Sequence, residues 1–448
     1  MEHGDTIAAI ATASGRGAVG IVRVSGPHTA AIAREMLGCL PLPRHATLLP
    51  FMVAGGVPLD EGLALWFPAP HSYTAEDVLE LQGHGCAVVL QQLLERTLAL
   101  GARLARPGEF SERAFLNGRL DLTQAEAVAD LIDASSTQAA RAALRSLQGV
   151  FSKRLEALVS ELTELRVYIE AALDFPDEEI DWLSESTVTQ RLTNLQAHMT
   201  TLCSDASQGV LLREGITVVV AGRPNVGKSS LFNRLAEREV AIVTDIPGTT
   251  RDVLRETLHL DGIPLCLSDT AGLRSTNDPV EREGVRRAYR ETAEADHILL
   301  VVEDMVGIGP EEQAILAEFP VGSVITVVRN KADLSGRPVG LSEGLLGTEV
   351  TLSATTGEGL SDLMAHLQGV AGYSTSEAGE FSARRRHLEA LRQAERHLST
   401  ALATLAARSP ELLAEELRLA QDHIGEITGA VTTEDLLGKI FGSFCIGK

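Results

Sequence analysis

The chain has 448 residues, 44% of them hydrophobic and 22% charged, and a formal net charge of −22. These values describe a globular protein of two or three domains and exclude indiscriminate nucleic-acid binding, which needs broad neutralisation of phosphates. The first residues lack the basic and apolar regions of a signal peptide, and no apolar run approaches the ~18 residues of a membrane helix. Five scattered cysteines without C-x-x-C spacing indicate neither disulfides nor zinc, so we expect a cytoplasmic protein with no membrane partner.

The first segment, residues 1–118, alternates short apolar runs with turn signals. Two of its runs predict strands, over Ala18–Gly26 and Gly62–Pro68. Two longer stretches have helical spacing, over Thr29–Leu37 and Ala87–Leu100. The pattern therefore predicts an N-terminal α/β domain.

From residue 119 the pattern becomes helical. Thr123 and Glu126 fit a T-x-x-E capping box at a helix start. Apolar residues then recur at spacings of three and four along one long helix: Leu155, Leu158, Leu162, Leu165, Ile169 and Leu173. Pro176 interrupts this pattern, and another helical stretch runs towards Gly209.

An alternating α/β segment begins at Ile216 and lasts to about Gln368, after which two further helical stripes follow. One stripe holds Leu388, Leu391, Ala394 and Leu398; the other holds Leu413, Leu417, Ala420, Ile424 and Ile427. One-sided helices must bury their apolar faces, so we expect those before residue 216 to pack against those after residue 370. The predicted domains are residues 1–118, a helical domain of 119–214 and 371–448, and an insertion of 215–370. The tract Arg384–His387 fits either a basic patch or a solvated helix start.

The stretch Gly222–Ser229, GRPNVGKS, fits the P-loop pattern and lies between a predicted strand and a predicted helix. Its glycines allow a tight loop whose backbone N–H groups face phosphates. Lys228 would then reach the β- and γ-phosphates, and the Ser229 hydroxyl would bind Mg²⁺. The inserted domain is therefore predicted to bind a nucleoside triphosphate.

A second motif indicates the base. The run Thr326–Asp333 is a predicted strand that ends in N-K-x-D. The carboxylate of Asp333 can accept hydrogen bonds from guanine N1 and N2 together, while Asn330 helps to place the loop near O6. Adenine lacks that donor pair, so such a site rejects it. With a backbone N–H from Leu352–Thr355 near O6, the motifs predict GTP.

Two more stretches complete a nucleotide-dependent switch. Asp269–Gly272, DTAG, would contribute a water-mediated Mg²⁺ contact and a γ-phosphate amide, and Gly248–Asp252 would contribute a threonine. Leu273 stands where Ras-like proteins carry a water-orienting glutamine, and leucine cannot orient a nucleophile. Either hydrolysis is feeble, or another group acts; four charged residues in these stretches are candidates: Glu281, Arg251, Arg274 and Arg282.

Five strings resemble one family when they are taken together. They are Asp77–Gly85, Pro107–Leu122, Glu170–Asp181, Gly248–Glu256 and Phe444–Lys448, the last reading FCIGK. The chain is similar from Asp5 to Lys448 to the MnmE (TrmE) family of tRNA-modification GTPases. The resemblance implies an N-terminal folate-binding α/β domain, a discontinuous helical domain and an inserted Ras-like P-loop domain with a doubly wound, mostly parallel sheet.

The resemblance also implies a function and partners. The family hydrolyses GTP, forms a homodimer through the N-terminal domains, and works with the FAD-dependent protein MnmG in a heterotetramer. The pair adds an aminomethyl-type group to C5 of the wobble uridine in certain tRNAs. The carbon comes from a tetrahydrofolate derivative, either 5-formyl or 5,10-methylene.

The family's nucleotide and ion residues carry over onto matching positions. For GTP the matched positions are Asn225, Val226, Gly227, Lys228, Ser229, Ser230, Thr244, Asp245, Ile246, Pro247, Gly248, Thr249, Thr250, Asp269, Thr270, Ala271, Gly272, Asn330, Lys331, Ala332, Asp333, Ser353, Ala354 and Thr355. For K⁺, which replaces an arginine finger in the family, they are Asn225, Thr244, Ile246 and Thr249; for Mg²⁺ they are Ser229 and Thr250. Glu281 matches the glutamate that orients the attacking water through a second water.

Four positions match the family's folate contacts: Arg23, Glu80, Arg119 and Lys448. Relatives often carry lysine where this chain has Arg119, and arginine keeps the charge with different geometry. The resemblance brings the C-terminal tail to the folate pocket. Cys445 is then either a nucleophile that adds to uridine C6 or a small residue that packs the tail, since no base is placed beside it by the sequence.

Two alternatives stay open at the level of sequence. An Era- or Der-like ribosome-assembly GTPase would carry the same nucleotide motifs without modification chemistry, although no second P-loop and no KH-like segment is present. A folate-dependent aminomethyl transferase with a regulatory GTPase would act without a flavoprotein.

Overall fold

The structure is a computed structural model that describes residues 4–174, 185–238, 255–260, 263–269, 295–317, 319–320, 322–370, 380–407, 409–431 and 434–447. The chain divides into two compact units. The first comprises Met1–Ala129, Leu147–Leu195 and Gln393–Lys448, and the second comprises Asp130–Ser146 and Gln196–Arg392. These units do not test the predicted domain boundaries, which stay a prediction.

The first unit is built on a six-stranded sheet. Its strands are β1 (Thr6–Ile10), β2 (Val19–Ser25), β3 (Thr47–Met52), β4 (Pro58–Phe67), β5 (Val78–His84) and β6 (Ala102–Leu104). Their order is β3-β4-β5-β2-β1-β6, antiparallel except for β1 with β6. The helices in this stretch are α1 (Thr29–Leu37), α2 (Ala87–Ala99) and α3 (Glu109–Leu116). The predicted bounds of α1 are those observed.

The two faces of this sheet differ because strand side chains alternate. One face forms a core with α1 and α2 that includes Val22, Val24, Met36 and Leu93. Arg23, between the two valines of β2, points to the other face. That face is therefore where polar side chains of the sheet are available for a site.

Four helices follow: α4 (Leu122–Ile132), α5 (Thr137–Leu147), α6 (Val150–Asp174) and α7 (Glu185–Glu214). The capping box predicted at Thr123 is wrong by two residues. Asp121 Oδ1 accepts from the backbone N–H of Gln124 at 2.9 Å, and Gln124 Oε1 accepts from the backbone N–H of Asp121 at 3.0 Å. Asp121 directly precedes the first residue of α4. Its side chain, rather than that of Thr123, therefore accepts from an unpaired backbone N–H group of the first turn.

The second unit contains a seven-stranded sheet. Its strands are β7 (Ile216–Ala221), β8 (Arg255–Leu260), β9 (Ile263–Asp269), β10 (His297–Glu303), β11 (Ile325–Asn330), β12 (Gly340–Gly344) and β13 (Gly347–Thr351). The order is β12-β13-β11-β10-β7-β9-β8, with only the two edge pairs antiparallel. The helices in this stretch are α8 (Lys228–Arg238), α9 (Pro310–Leu316), α10 (Ala332–Ser335) and α11 (Leu360–Val370).

Both faces of this sheet are covered. Alternate residues of β7 and β10 enter two separate cores, one shared with α8 and α11 and the other with α9 and Phe319. Near-continuous burial on both faces is typical of doubly wound parallel sheets, so the predicted fold class is confirmed. Crossings of this kind place loops at the carboxyl ends of the strands, where ligands bind.

Three helices complete the chain: α12 (Arg385–Ala406), α13 (Pro410–Thr428) and α14 (Glu434–Gly442). As the stripes predict, α6 packs against α13. Buried leucines line both helices, and Arg166 Nη1 donates to Gln421 Oε1 at 2.8 Å. Within the described part of the chain, none of the helices has the length and apolar character that crossing a membrane requires.

Candidate functional site

The P-loop follows β7 and ends in the first turn of α8. Gly222 has φ +147°, and a Cβ there would lie 2.3 Å from the carbonyl oxygen of Val301. Gly227 has φ +100°, and its Cβ would lie 2.1 Å from Asn330 Nδ2. Both positions therefore require glycine. Lys228 Nζ donates to the carbonyls of Gly222 at 2.7 Å and Arg223 at 2.9 Å, which holds the ammonium against the loop.

Hydroxyl and amide groups at this loop face solvent. Ser229 and Ser230 are exposed in the first turn of α8, where a helix N-terminus favours anions. Asn225 is exposed and has φ +66°. Their side-chain oxygens suit hard cations such as Mg²⁺ and K⁺, which take oxygen ligands, so Ser229 and Asn225 have the chemistry that the predicted ion sites require.

Asn330, at the end of β11, joins three loops. Its Nδ2 donates to the carbonyl of Val226 at 2.8 Å, and its Oδ1 accepts from the backbone N–H of Ala354 at 2.9 Å. Asn330 is buried, so its amide is used entirely within the protein. The predicted base-reading loop is thereby fixed to the P-loop.

Asp333 is exposed beside this junction. Its Oδ1 accepts from Ser353 Oγ at 2.6 Å, which orients the carboxylate while leaving its other oxygen available. Lys331 has φ +67°, and its Nζ lies 3.0 Å from Glu303 Oε2. The backbone N–H of Ala332 donates to the carbonyl of Leu352 at 3.1 Å. The arrangement offers a fixed carboxylate edge to a planar base.

Two residues that hold this site together are not indicated by the sequence motifs. Arg234 of α8 donates to the carbonyls of Ala354 and Thr355, which ties the last loop to the helix. Arg223 of the P-loop forms an ion pair with Glu312, which is 1% exposed in α9. Nothing in the local pattern marks these arginines, because their partners lie far along the chain.

Several predicted residues lie outside the described residues. They are Thr244, Asp245, Ile246, Pro247, Gly248, Thr249, Thr250, Thr270, Ala271, Gly272 and Glu281, together with Arg251, Leu273, Arg274 and Arg282. Asp269 ends β9 beside Val220 of β7, and its side chain is not described. The ion and switch assignments at these positions stay predictions.

A second candidate site lies on the face of the six-stranded sheet opposite α1 and α2, where Phe110 of α3 packs against Ile7 and Ala9. Arg23 in β2 is directly opposite Glu80 in β5, and its Nε lies 2.9 Å from Glu80 Oε1. The guanidinium lies 5.5 Å from the ring centroid of Tyr73 and 5.6 Å from that of Phe110. Stacking between two rings and pairing with a carboxylate fix the cation. Burial raises the pKa of Tyr73, which keeps its hydroxyl neutral.

The C-terminal tail reaches this same face. Arg23 Nη1 donates to the carbonyl of Gly447 at 3.2 Å. Gly447 has φ +97°, and a Cβ there would lie 2.5 Å from the carbonyl oxygen of Ile10. The backbone N–H of Gly108 donates to the carbonyl of Cys445 at 3.3 Å. The tail is thus docked by its backbone.

The remaining predicted folate residues are placed differently. Cys445 is exposed, and the preceding Phe444 is buried against Phe441, with ring centroids 5.5 Å apart. Arg119 is exposed, and within the described residues its side chain forms no ion pair with Glu80. Lys448 lies outside the described residues. The structure brings together Arg23, Glu80 and the tail, but does not join Arg119 to them.

The predicted basic patch at Arg384–His387 is committed to contacts within the protein. Arg384 Nη2 donates to Asp130 Oδ1, and Arg385 Nε donates to Glu214 Oε2, both at 2.8 Å. His387 is buried and accepts from the backbone N–H of Arg384 at 3.1 Å. These residues are therefore part of the fold at the start of α12 rather than a free cationic surface.

Two family models match the chain. One is described as "GTP-binding protein TrmE N-terminus" and matches residues 6–119. The other is described as "MnmE helical domain" and matches residues 122–445. Together they span nearly the whole sequence.

Solved structures match parts of the chain. Era from Aquifex aeolicus bound to GDP·AlF4⁻ is 25% identical, with 41% of this chain and 66% of that chain covered and a TM-score of 0.29. The G domain of the T. maritima FeoB iron transporter is 24% identical, with 35% and 98% covered and a TM-score of 0.25. The chain thus spans just under two thirds of that Era chain, and similarity at these TM-scores indicates no function.

Proposed function

The chain belongs to the MnmE (TrmE) family and is a GTP hydrolase that acts in tRNA modification, and on that premise we propose its full reaction. We propose K⁺-stimulated GTP hydrolysis coupled to addition of an aminomethyl or carboxymethylaminomethyl group at C5 of the wobble uridine. The carbon unit comes from a tetrahydrofolate derivative. The partners are a second copy of the chain, tRNA and an FAD-dependent protein, MnmG, in the cytoplasm.

One observation carries this proposal. The contact between Arg23 and the carbonyl of Gly447 brings the tail that carries Cys445 to Arg23 and Glu80, two of the four positions that match the family's folate contacts. A ribosome-binding switch would have no need of such a junction. The nucleotide motifs alone would not distinguish a tRNA-modification GTPase from a ribosome-binding switch.

In the proposed GTPase cycle, each described residue has a separate task. Backbone N–H groups of Gly222–Gly227 and the ammonium of Lys228 hold the phosphates, and Asp333 accepts from guanine. Ser229 and Asn225 would hold Mg²⁺ and K⁺. A K⁺ ion there supplies positive charge beside the phosphates, as an arginine finger does elsewhere. Such a charge offsets the lack of a water-orienting side chain at Leu273, while Glu281 is proposed to orient water.

At the folate site, Arg23 and Glu80 present a donor and an acceptor side by side. A folate carries both a hydrogen-bonding pterin and carboxylates, so neighbouring opposite charges match its chemistry. Cys445 is exposed on the docked tail, where its thiol is free to act. Whether that thiol attacks C6 of the uridine is the step to be tested.

The cation mechanism is tested by the rate of GTP hydrolysis in KCl and in NaCl at equal ionic strength. We expect hydrolysis to be about tenfold or more faster in KCl, because one well-placed charge at the transition state changes rates by that order. Asn225→Ala should remove most of the difference. Equal rates in both salts would refute the cation role.

The modification is tested by nucleoside analysis of tRNA from a deletion strain. We expect the wobble modification to disappear and to return with the wild-type chain but not with Cys445→Ser, whose GTP hydrolysis stays intact. Return with Cys445→Ser would make the cysteine a packing residue. Unchanged nucleosides together with cosedimentation with ribosomal subunits would instead favour the ribosome-assembly alternative, and modification without the flavoprotein would favour the transferase alternative.

A further inference from the structure

Four charged residues lie next to the predicted base-reading loop, residues 330–333. We call them the loop clasp: Asp304, Arg329, Arg337 and Glu349. All four belong to the second unit. None of them stands at a position that the motifs or the family resemblance assign to the nucleotide, so the nucleotide motifs give these side chains no task.

Asp304, which directly follows β10, is the centre of the loop clasp. Its side chain is 1% exposed, and within the described residues neither of its carboxylate oxygens accepts a hydrogen bond. Its partners are two guanidinium groups: Arg337 Nε lies 3.3 Å and Arg329 Nη1 lies 3.8 Å from Asp304 Oδ1. The buried charge of Asp304 is thus balanced by ion pairs with two arginines.

The two arginines stand on either side of the base-reading loop in the sequence. Arg329 directly precedes Asn330, the last residue of β11, and Arg337 follows α10, the short helix that contains Asp333. The backbone N–H of Asp304 also donates to the carbonyl of Asn330 at 2.9 Å. One residue at the end of β10 therefore holds the loop at its start and just beyond its end.

Arg329 is also held by β13. Its Nε pairs with Glu349 Oε2, and its Nη2 donates to Glu349 Oε1 at 3.4 Å. Because strand side chains alternate, Arg329 and Asn330 point to opposite faces of the sheet. Arg329 meets the two carboxylates on one face, while Asn330 donates to the carbonyl of Val226 in the P-loop. A displacement of Arg329 would therefore turn the backbone from which Asn330 and the residues after it project.

We propose that Asp304 is a positioning residue that determines the selectivity for guanine, because through Arg329 and Arg337 it sets the position of Asp333 against the base. The inference rests on the proposed role of Asp333, whose carboxylate accepts from guanine N1 and N2 together. Both bonds form only when the carboxylate lies near the plane of the base, since hydrogen bonds weaken steeply with misalignment. A small displacement of the loop therefore loses one of the two bonds before it loses the nucleotide.

Stabilisation of the fold does not account for the loop clasp. Buried ion pairs contribute little net stability, because desolvation offsets their attraction unless further hydrogen bonds satisfy the charged atoms. Asp304 lacks such hydrogen bonds within the described residues. The guanidinium of Arg329, in contrast, is a rigid planar fork between two carboxylates and has few alternative positions. It is therefore suited to keep the loop at a fixed angle.

The test compares the binding of GDP and inosine diphosphate to the full chain by calorimetry, together with kcat and KM for GTP. Hypoxanthine, the base of inosine, lacks the amino group at C2 and can donate to Asp333 only from N1. The ratio of the two dissociation constants therefore measures the bond from N2. The variants are Asp304→Asn and Arg337→Gln, with Asp333→Asn as the reference for the base site itself. Glu343→Gln is the matched control, because Glu343 is an exposed carboxylate of β12 in the same sheet.

In Asp304→Asn we expect the preference for GDP over inosine diphosphate to fall about tenfold, which is the effect of one hydrogen bond to a charged group. The KM for GTP should rise by a similar factor, while kcat stays within about twofold, because the P-loop contacts are unchanged. Arg337→Gln should lower the preference by about threefold, since Arg337 is half-exposed and its ion pair is weaker. Glu343→Gln should match the wild type.

Two results would overturn the inference. One is a wild-type preference for GDP in Asp304→Asn. The other is an equal loss of affinity for both diphosphates, which would make Asp304 a structural residue of the sheet. If Asp304→Asn does not fold, as judged by thermal unfolding, Arg337→Gln decides, and an unchanged preference there overturns the inference.

The variant Asp333→Asn separates this inference from the proposed base site. If Asp333→Asn keeps the wild-type preference for GDP, the proposed base site itself is wrong. If Asp333→Asn loses the preference while Asp304→Asn and Arg337→Gln keep it, only the role of the loop clasp is refuted.

Discussion

In the seven-stranded sheet the candidate nucleotide site lies where β7 and β11 end, whereas in the six-stranded sheet the candidate folate site lies across the face of β2 and β5. The first site is made of loops, each a contiguous stretch of sequence. The second joins Arg23 to Gly447, which are 424 positions apart. The residues of a site at strand ends are contiguous in the sequence and can be recognised as motifs. A site on a sheet face is assembled from residues that are distant in the sequence.

The difference also concerns what holds each site. Asn330 fixes the candidate nucleotide loops through backbone groups of Val226 and Ala354, so the loops predicted to bind guanine are held together by contacts within one sheet and its loops. The folate face depends on a docked tail whose backbone is held by Gly108 and Arg23. We therefore expect substitutions in the nucleotide site to act by removing a contact with the ligand. Substitutions at the folate face should act by undocking the C-terminal tail.

The largest effect is expected from Asp333→Asn. Loss of two charge-assisted hydrogen bonds of about 2 kcal/mol each should weaken GTP binding by about 10³-fold. Xanthosine triphosphate should bind the variant better than GTP, because the asparagine amide can donate to the carbonyl at C2 of xanthine. Binding constants for both nucleotides, measured by calorimetry, check this.

Reduced-folate binding in the same variant is the control for the comparison. It should stay unchanged, since the contacts of Asp333 are confined to the nucleotide loops. A variant that binds GTP as tightly as the wild type would contradict the role of Asp333 in base recognition.

The next prediction compares how much stability each of the two sheets loses in acid. In the seven-stranded sheet His297 is 1% exposed, and its Nε2 lies 2.9 Å from Thr326 Oγ1. Burial and the nearby His366 lower its pKa from 6.5 to about 4. Between those pH values the unfolded chain binds more protons, so stability is lost as the pH falls, by about 2 kcal/mol at pH 5.

The six-stranded sheet should resist acid further. Burial would raise the pKa of Glu109, but hydrogen bonds from Arg103 and the backbone of Arg106 lower it from 4.5 to about 2. The stabilisation of the folded state by the ionised Glu109 is therefore fully present above pH 4.5. It is lost only as the pH falls towards 2. Limited proteolysis with mass spectrometry at pH 7 and pH 5 should show cleavage rising first in β10 and β11.

The variant His297→Gln is the control for this acid series. Glutamine keeps a hydrogen-bonding partner for Thr326 and removes the titration, so the difference between pH 7 and pH 5 should shrink. Cleavage that begins in β2 and β5 instead would contradict the assignment to His297.

The smallest effect is expected from Gly447→Ala. Alanine is strained at φ +97°, and its Cβ would lie 2.5 Å from the carbonyl oxygen of Ile10, so docking should weaken by about 1 kcal/mol. Faster hydrogen exchange of the tail and of Gly108, with GTP hydrolysis unchanged, would show this. Gly442→Ala is the matched control, since a Cβ there meets nothing within 4 Å. Equal exchange in both variants would mean that the Gly447 contact does not hold the tail.

The sequence predicted most clearly what local chemistry determines. The spacing over Thr29–Leu37 gave the bounds of α1, and GRPNVGKS located a loop whose glycines cannot be replaced. The helix start at Asp121 was misplaced because Asp121 and Thr123 are both good caps two residues apart. Choosing between them depends on which hydroxyl or carboxylate reaches the N–H of Gln124.

What the sequence could not predict depends on partners that are distant in the chain. The rings of Tyr73 and Phe110 lie against Arg23, yet nothing in the sequence around either ring indicates that contact. Arg234 in α8 and Arg384 just before α12 look like ordinary surface arginines until Ala354 and Asp130 are placed beside them. A local pattern carries the type of a side chain but not the identity of its tertiary partner.

The packing of α6 against α13 has a consequence for synthesis. Arg166 and Gln421, which bond across this pair, are 255 positions apart, and chains emerge from the N-terminus at about 5–20 residues per second. Roughly 10–50 s therefore pass between the synthesis of α6 and the synthesis of α13. All strands of the seven-stranded sheet are synthesised in that interval. During that interval the apolar side chains of α6 lack the helix that buries them. We expect α6 to be the segment that chaperones bind first.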